Sequence, residues 1–208
     1  IPGASQSREQ WNGWFNTDRI RETCLTVQDM PGITSLLFVM DTPGGLARGL
    51  APASGAILNL RAKRKDMTCA AYVPSLCASA GYYLAASTGS IHAAPSALVG
   101  SIGTIASLSD STAFWEKLGI KNELFTDGTL KALGHAKFGI TDAQRDYMRQ
   151  EIEAISAEFK NLVRTQRPGI AETTMQGQVF EARRAPAALV DSATIHTLHE
   201  FLAIGLRS

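Results

Sequence analysis

One continuous apolar run that ends in a glycine turn limits what this chain can fold into. The run covers Thr34–Met40 and leads straight into Asp41-Thr42-Pro43-Gly44-Gly45. A continuous apolar segment of this length is typical of a parallel strand that is buried on both faces. Glycine has no Cβ and tolerates positive φ, so the turn lets backbone approach a ligand closely. The stretch predicts an α/β sheet, with either a binding turn or an ordinary strand-to-helix turn at the end of a strand.

A serine stands at a second junction of the same kind. Thr68–Val73 is a short apolar run suited to a buried strand, Pro74 marks its end, and Gly81–Ala86 is compatible with a helix. Ser79 is therefore expected near the amino end of a helix, where unpaired backbone N–H groups can stabilise a developing oxyanion. Two interpretations stay open for Ser79 on this stretch alone: a nucleophile, or the cap of the helix.

The segment between the two junctions predicts a connecting helix from Leu46 to about Lys63. Strand, glycine turn, helix, strand and serine turn then form one βαβ unit. Ligands bind at the carboxyl edge of an open α/β sheet, so both turns are expected at one candidate site.

The rest of the chain predicts short elements and one long helix. Thr141-Asp142-Ala143-Gln144 is a capping box, and apolar residues then recur at three- and four-residue steps, so residues 141–166 are predicted to form an amphipathic helix. Asp191 is expected to cap a helix. The other expected elements are an irregular segment (3–16), helices (17–27 and 110–118), strands (90–95, 97–105 and 122–126), a loop (127–139) and a closing element (179–208).

Composition limits the class of protein. The chain has 208 residues and is 45% hydrophobic, which predicts a single domain over residues 1–208 with one core, and an irregular amino-terminal part over 1–32. Its 20 basic and 19 acidic residues give no reason to expect nucleic acid. Three cysteines without Cys-x-x-Cys spacing signal neither disulfides nor a zinc site, so we expect no metal, no cofactor and a reducing, cytoplasmic compartment. No apolar run reaches the roughly 18 residues of a membrane span, although a start at Ile1 leaves room for a removed leader, anchor or first strand.

Four motifs, taken in order, resemble the signal peptide peptidase A (protease IV) family, and the resemblance extends from about Ile33 to Asp191. The motifs are Met40–Gly45, Cys77–Gly81, Val99–Gly103 and the closing Val179–Asp191. The resemblance implies a Ser–Lys peptidase with a Clp protease/crotonase-like fold, an α/β spiral of βαβ units whose mainly parallel sheet is flanked by helices. The Asp-Thr-Pro-Gly-Gly turn and the compact length look most like the phage head-maturation branch, which clears scaffold during capsid assembly.

The resemblance also implies a set of site residues. Ser79 would be the nucleophile, and Lys131, which follows it by 52 residues in the loop before the long helix, would be the general base. Lys137 fits that position less well. The oxyanion hole would use backbone N–H groups of Gly44 or Gly45 and of Ala80. The extended segment Gly100–Ile105 would pair with substrate backbone, mainly through Gly100, Ser101, Ile102 and Gly103.

Several alternatives remain at this point. A histidine base would have to be His92 or His135, and Cys77 is a rival nucleophile unless it is a small buried hydrophobe. The expected function is endopeptidase activity on a polypeptide such as scaffold or capsid protein, by a homo-oligomer. Alternatives are a bacterial signal-peptide peptidase, a crotonase-like acyl-CoA enzyme, and a non-catalytic assembly protein with the same fold.

Overall fold

The computed structural model describes residues 16–195 and 197–204, which divide into two compact units. The larger unit contains the chain up to Gly103 and from Phe159 onwards, and the smaller unit contains Thr104–Glu158. Most of the predicted irregular segment, residues 3–15, lies outside the described residues. The expectation of one peptidase domain over the whole chain stays a prediction.

Strands and helices alternate along the larger unit. Its strands are β1 (Ser35–Val39), β2 (Thr68–Val73), β3 (Leu76–Ala78), β4 (Ser90–Ala93), β5 (Leu98–Gly100) and β6 (Val179–Glu181). Helices α1 (Thr17–Gln28), α2 (Leu50–Lys63) and α3 (Ala80–Ala86) lie between these strands or before them, and α6 (Leu198–Ile204) follows them. The smaller unit contains α4 (Thr112–Lys117), and the long helix α5 (Asp142–Gln166) begins there.

The strands form two small sheets that are mainly parallel. In the first, β2 lies between β1 and β4 and runs parallel to both, with Leu37 opposite Ala70 and Ala71 opposite Ile91. In the second, β5 lies between the parallel β3 and the antiparallel β6. A parallel bridge from Thr42 to Cys77 carries the path of β1 across to β3. This mixed α/β architecture, with parallel strands flanked by helices, confirms the predicted fold class.

The core of the larger unit lies between its parallel strands and helices α2 and α3. All residues of β2 from Cys69 to Val73 are buried, as expected for a strand covered on both faces. Every residue of α3 is buried, and α2 contributes Ile57 and Leu60. On the other face of the first sheet, the Phe201 ring of α6 stacks on Tyr72 with centroids 5.6 Å apart. The serine turn before α3 is therefore held by the most buried part of the chain.

The structure corrects the prediction that Asp191 caps a helix. Its Oδ2 accepts hydrogen bonds from the Ile91 backbone N–H at 2.7 Å and from the Arg167 guanidinium at 2.8 Å. Arg167 is only 7% exposed and also donates to the Ala188 carbonyl at 2.8 Å. Asp191 therefore connects the closing segment to β4 through the Ile91 N–H and to the end of α5 through the buried Arg167 guanidinium.

One predicted strand is missing, and some element boundaries differ from the predictions. The strand expected at residues 122–126 does not form, and Phe125 is 88% exposed there, so an apolar pattern without burial produced no strand. Helix α2 begins at Leu50, because Gly49 has a φ of 85° and lies against Thr17 where a Cβ would meet its hydroxyl at 2.8 Å. Strand β5 ends early at Gly100, whose φ is 117°.

The smaller unit has no hydrophobic core of its own. None of its apolar side chains is buried, whereas Gln144 is, in the capping box predicted at Thr141. That box is present: the Gln144 N–H donates to the Thr141 hydroxyl at 3.2 Å and the Gln144 side chain accepts from the Thr141 N–H at 3.1 Å. The large hydrophobic side chains exposed in this unit are Ile105, Phe114, Leu118, Ile120, Leu124, Phe125 and Tyr147. Among the described residues, no helix is both long and apolar enough to cross a bilayer.

Candidate active site

Ser79 occupies a sharp turn between β3 and α3 with an unusual backbone conformation. Its φ is 52° and its ψ is −123°, a region that non-glycine residues rarely adopt. The Ser79 N–H donates to the Gly100 carbonyl at 2.9 Å, and the Ser79 carbonyl accepts from the Tyr83 N–H at 3.0 Å. Its side chain is only partly buried. A serine on a strained strand-to-helix turn is the arrangement that presents the nucleophile in α/β-hydrolases.

The glycine turn lies directly against this serine, as the sequence predicted for one site. A Cβ built on Gly44 would lie 2.7 Å from the Ser79 Cβ and 3.1 Å from the Ala80 backbone nitrogen. Gly44 also has a φ of 110°, so both space and conformation require glycine there. The structure thus brings Ser79, Gly44 and Ala80 together at the ends of neighbouring strands.

Buried Thr42 holds the glycine turn on β3. Its N–H donates to the Leu76 carbonyl at 2.7 Å, and its carbonyl accepts from the Ala78 N–H at 3.1 Å. Its hydroxyl accepts from the Gly44 N–H at 3.1 Å. Sequence reasoning did not single out Thr42; a threonine two residues before a glycine in a turn is a recognisable signal for this bond.

These bonds narrow the choice of oxyanion donors. The Gly44 N–H is already engaged by the Thr42 hydroxyl. The N–H groups of Gly45 and Ala80 have no acceptor within the described part of the chain, and Ala80 is the first residue of α3, whose N–H has no partner inside the helix. Of the three predicted oxyanion donors, Gly45 and Ala80 therefore keep an unengaged N–H group, whereas Gly44 does not.

The predicted substrate segment is paired along one edge. The Ser101 N–H donates to the Gln178 carbonyl at 2.6 Å, and the Ile102 carbonyl accepts from the Gly177 N–H at 3.1 Å. A Cβ on Gly100 would meet the Gln178 carbonyl at 2.8 Å. Ser101 shares with Ser79 a φ of 52°. Gly100 is also paired on its other edge, because its carbonyl accepts from the Ser79 N–H at 2.9 Å. An added peptide strand would therefore have to use Ser101–Gly103, on the edge that faces away from Gln178.

The rival nucleophile is inaccessible. Cys77 is fully buried in β3. Burial, and to a smaller extent the Asp41 carboxylate, raises the pKa of the Cys77 thiol to about 12. Since the thiolate is the reactive form, Cys77 acts as a small buried hydrophobe.

The histidine alternatives have other contacts. His92 Nε2 lies 3.0 Å from the Ser90 hydroxyl, and its ring packs on Phe201 with centroids 5.0 Å apart. Burial lowers the pKa of His92. His135 belongs to the smaller unit, where its ring lies 6.5 Å from that of Phe138. Neither contact set includes Ser79.

The two candidate lysines both belong to the smaller unit, whereas Ser79 belongs to the larger one. Lys131 is exposed in a series of turns, and its N–H donates to the Gly128 carbonyl at 3.2 Å. The Lys137 ammonium lies 4.9 Å from the centroid of the Trp115 ring. Lys137 is thus in contact with an aromatic face of its own unit.

Residues 61–198 match peptidase family S49, which covers more than half of the chain. The chain belongs to this family. S49 membership and the mixed α/β architecture agree with the predicted Clp protease/crotonase-like fold and with the predicted resemblance to signal peptide peptidase A.

Named relatives extend the comparison. The chain is 28% identical to a "Probable protease SohB" of Buchnera aphidicola subsp. Schlechtendalia chinensis, over 65% of this chain and 44% of that protein. It is 28% identical to a "Probable protease SohB" of Haemophilus influenzae over 64% of this chain and 37% of that protein. A "Putative signal peptide peptidase SppA" of Enterococcus faecium is 24% identical over 86% of this chain and 51% of that protein. The chain thus spans about half the length or less of these curated relatives.

Proposed function

We propose that this S49 chain is a serine endopeptidase in which Ser79 is the nucleophile and Lys131 the general base. The observation that carries the proposal is the turn geometry of Ser79, whose φ of 52° is kept in place against Gly44. A structural cap has no need of such strain, whereas a nucleophile must project from its turn.

The chemistry follows from the residue types. The Ser79 hydroxyl attacks the peptide carbonyl carbon while its proton passes to the neutral amine of Lys131. The carbonyl oxygen becomes an oxyanion that accepts hydrogen bonds from the N–H groups of Gly45 and Ala80, each worth about 3 kcal/mol by comparison with other acyl-transfer enzymes. The lysine then returns the proton to the leaving amine. Water hydrolyses the resulting ester on Ser79 through the same base.

The base must be neutral to accept that proton. Lys131 is exposed in this structure, and removal of an amine from water favours its uncharged form. A bound polypeptide, or a second copy of the chain, would cover Lys131 and remove its amine from water. The exposed apolar side chains of the smaller unit support a homo-oligomer, because surfaces of this kind are normally covered in solution.

Two substrate classes fit the site. The resemblance of the glycine turn to the phage head-maturation branch favours scaffold or capsid protein. The relative named as a putative signal peptide peptidase favours cleaved signal peptides instead. Membership of a peptidase family favours a peptide bond as the bond that is cleaved, rather than the thioester on which a crotonase-like enzyme acts.

Proteolysis of an unfolded protein and of a synthetic signal peptide tests the proposal. We expect the wild type to cleave, and Ser79→Ala and Lys131→Ala to lose activity by at least about a hundredfold. Ser75→Ala, an exposed serine in the turn before β3, is the matched control and should cleave at the wild-type rate. Equal cleavage by all four proteins would refute the proposal, and the preferred substrate would separate the two classes.

A further inference from the structure

The loop that carries Lys131 contains turns but no helix or strand. Within residues 127–139, the Leu133 N–H donates to the Leu130 carbonyl at 3.0 Å and the His135 N–H to the Ala132 carbonyl at 3.1 Å. Such bonds join residues that are three apart in sequence. They shape the loop locally, but they do not fix where it lies in the smaller unit.

One loop carbonyl is anchored to the start of α4. The Ala136 carbonyl accepts two hydrogen bonds from Ser111, one from its N–H at 2.6 Å and one from its hydroxyl at 2.7 Å. The same hydroxyl accepts a hydrogen bond from the Trp115 indole N–H at 3.1 Å. The indole therefore orients the hydroxyl proton toward the loop.

Ser111 uses its side chain in an unusual way for its position. It is the N-cap residue of α4, where a serine normally accepts a hydrogen bond from a backbone N–H of the first turn. Here the hydroxyl makes no capping bond, and Asp110 instead accepts from the Thr112 N–H at 3.0 Å and hydroxyl at 2.7 Å. Because the Asp110 carboxylate binds the free N–H at the start of α4, the Ser111 hydroxyl is available to hold the loop.

The face of the same indole holds a second point of the loop. The Lys137 ammonium lies 4.9 Å from the Trp115 ring centroid, next in sequence to the anchored Ala136. One side chain of α4 thus fixes the loop twice, through its N–H and through its ring. We call Ser111, Trp115 and Lys137 the Trp115 clamp.

We propose that the Trp115 clamp positions the Lys131 loop for catalysis, with Ser111 and Trp115 as positioning residues that touch no reacting atom. The inference rests on the proposed function of Lys131. Anchoring Ala136, five residues after Lys131, restricts the arrangements that the lysine can adopt. General-base catalysis depends steeply on such orientation, so a loosened loop lowers the rate of the chemical step and leaves substrate binding unchanged.

Four variants test the clamp through kcat and KM for peptide cleavage. Ser111→Ala removes the hydroxyl, Trp115→Phe removes the indole N–H but keeps an aromatic face, and Lys137→Met removes the charge. Each is expected to lower kcat by about tenfold with KM unchanged. Lys137→Arg should restore most of the activity, because a guanidinium also stacks on an aromatic ring.

A double variant adds a test that a merely structural role would not pass. The indole N–H acts on the loop through the Ser111 hydroxyl, so Ser111→Ala combined with Trp115→Phe should be no slower than Ser111→Ala alone. If the loss of kcat in the double variant instead equals the product of the two single losses, the indole does not act through the Ser111 hydroxyl and the proposed linkage is overturned. Matched controls are Ser107→Ala and Lys121→Met, exposed residues of the same unit, which should keep the wild-type kcat.

Hydrogen exchange separates failure of the clamp from failure of the proposed function. We expect the amides of residues 129–135 to exchange faster in Ser111→Ala and Trp115→Phe than in the wild type, and α5 to be unaffected. Wild-type kcat and unchanged exchange in these variants, with Lys131→Ala inactive, would overturn the clamp alone. A wild type without Lys131-dependent cleavage would refute the proposed function and, with it, the catalytic part of this inference; the exchange rates would still decide whether the clamp orders the loop.

Discussion

The backbone conformation of Ser79 is strained, and the strain costs free energy of folding. A non-glycine residue with a φ of 52° and a ψ of −123° is strained by about 1 to 3 kcal/mol. Its hydrogen bonds to Gly100 and Tyr83 link it to β5 and to the buried helix α3, which offset that cost. The strain is therefore located at the residue whose side chain is proposed to react.

Gly44 should tolerate no side chain. Gly44→Ala would place a Cβ 2.7 Å from the Ser79 Cβ at a φ of 110°, so the turn must shift away from the serine. We predict a loss of cleavage of about a hundredfold or more, since misplacement by about 1 Å is enough for that. Cleavage assays together with thermal unfolding measure the effect.

Gly55→Ala on α2 is the control for that substitution. A Cβ there meets nothing within 4 Å and the backbone is helical, so we expect unchanged cleavage and a gain in stability of up to about 1 kcal/mol. Wild-type cleavage by Gly44→Ala would contradict the close packing of the glycine turn on Ser79.

At the scale of elements, Asp191 connects the closing segment to β4 through the Ile91 N–H and to the end of α5 through Arg167. Burial on its own raises the pKa of Asp191, but the hydrogen bonds from Arg167 and from the Ile91 N–H lower it below its ordinary value of 3.8 on balance. A lowered folded-state pKa means that the carboxylate stabilises the fold above that ordinary value. This contribution is lost as the pH falls below about 4.

Asp191→Asn should therefore be less stable than the wild type at pH 6, and the difference should narrow toward pH 3. Chemical unfolding across this range measures it. Asp146→Asn is the matched control, because its carboxylate also lies 2.8 Å from an arginine, Arg149, but both side chains are largely exposed. The free energy of unfolding of Asp146→Asn should stay within about 1 kcal/mol of the wild-type value at every pH. A stability difference between Asp191→Asn and the wild type that does not change with pH would contradict the lowered pKa of Asp191.

Elements with strong local signals were predictable from the sequence. Strands β1 and β2 are continuous apolar runs, and α5 begins at the capping box that starts with Thr141. Strand β3 was not predicted, because a strand of only three residues carries no periodicity. The start of α2 depends on the close approach of Gly49 to Thr17, which is a tertiary contact.

The candidate site was predictable to a similar extent. Motif order placed Ser79 beside Gly44 and Ala80, because turns at the carboxyl ends of neighbouring strands meet. The engagement of the Gly44 N–H by Thr42 was missed, although a threonine two residues before a glycine in a turn is a local signal for such a bond. The role of Asp191 was misjudged because Arg167 lies 24 residues away in sequence. The partnership of Lys131 with Ser79 stays a prediction.

At the scale of the whole molecule, the smaller unit raises the question of assembly. Ile105 is 95% exposed and Phe125 88% exposed, in a unit without buried apolar side chains. We predict that the chain forms a homo-oligomer that covers part of this surface. Sedimentation or light scattering should give a mass of at least two chains.

Phe125→Asp should shift that oligomer toward smaller species, because a buried charge is costly at an apolar interface. Lys121→Met, which adds no charge to the same unit, is the control and should leave the mass unchanged. A wild type that stays monomeric at high concentration would contradict this prediction.

The most direct test of the central claim is the rate at which a fluorophosphonate labels Ser79. The account predicts one adduct, at Ser79, in the wild type and in Lys121→Met, and labelling at least about a hundredfold slower in Lys131→Ala, because the serine then lacks its base. Labelling at another residue, or at Ser79 with equal rates in all three proteins, would contradict the Ser79–Lys131 dyad.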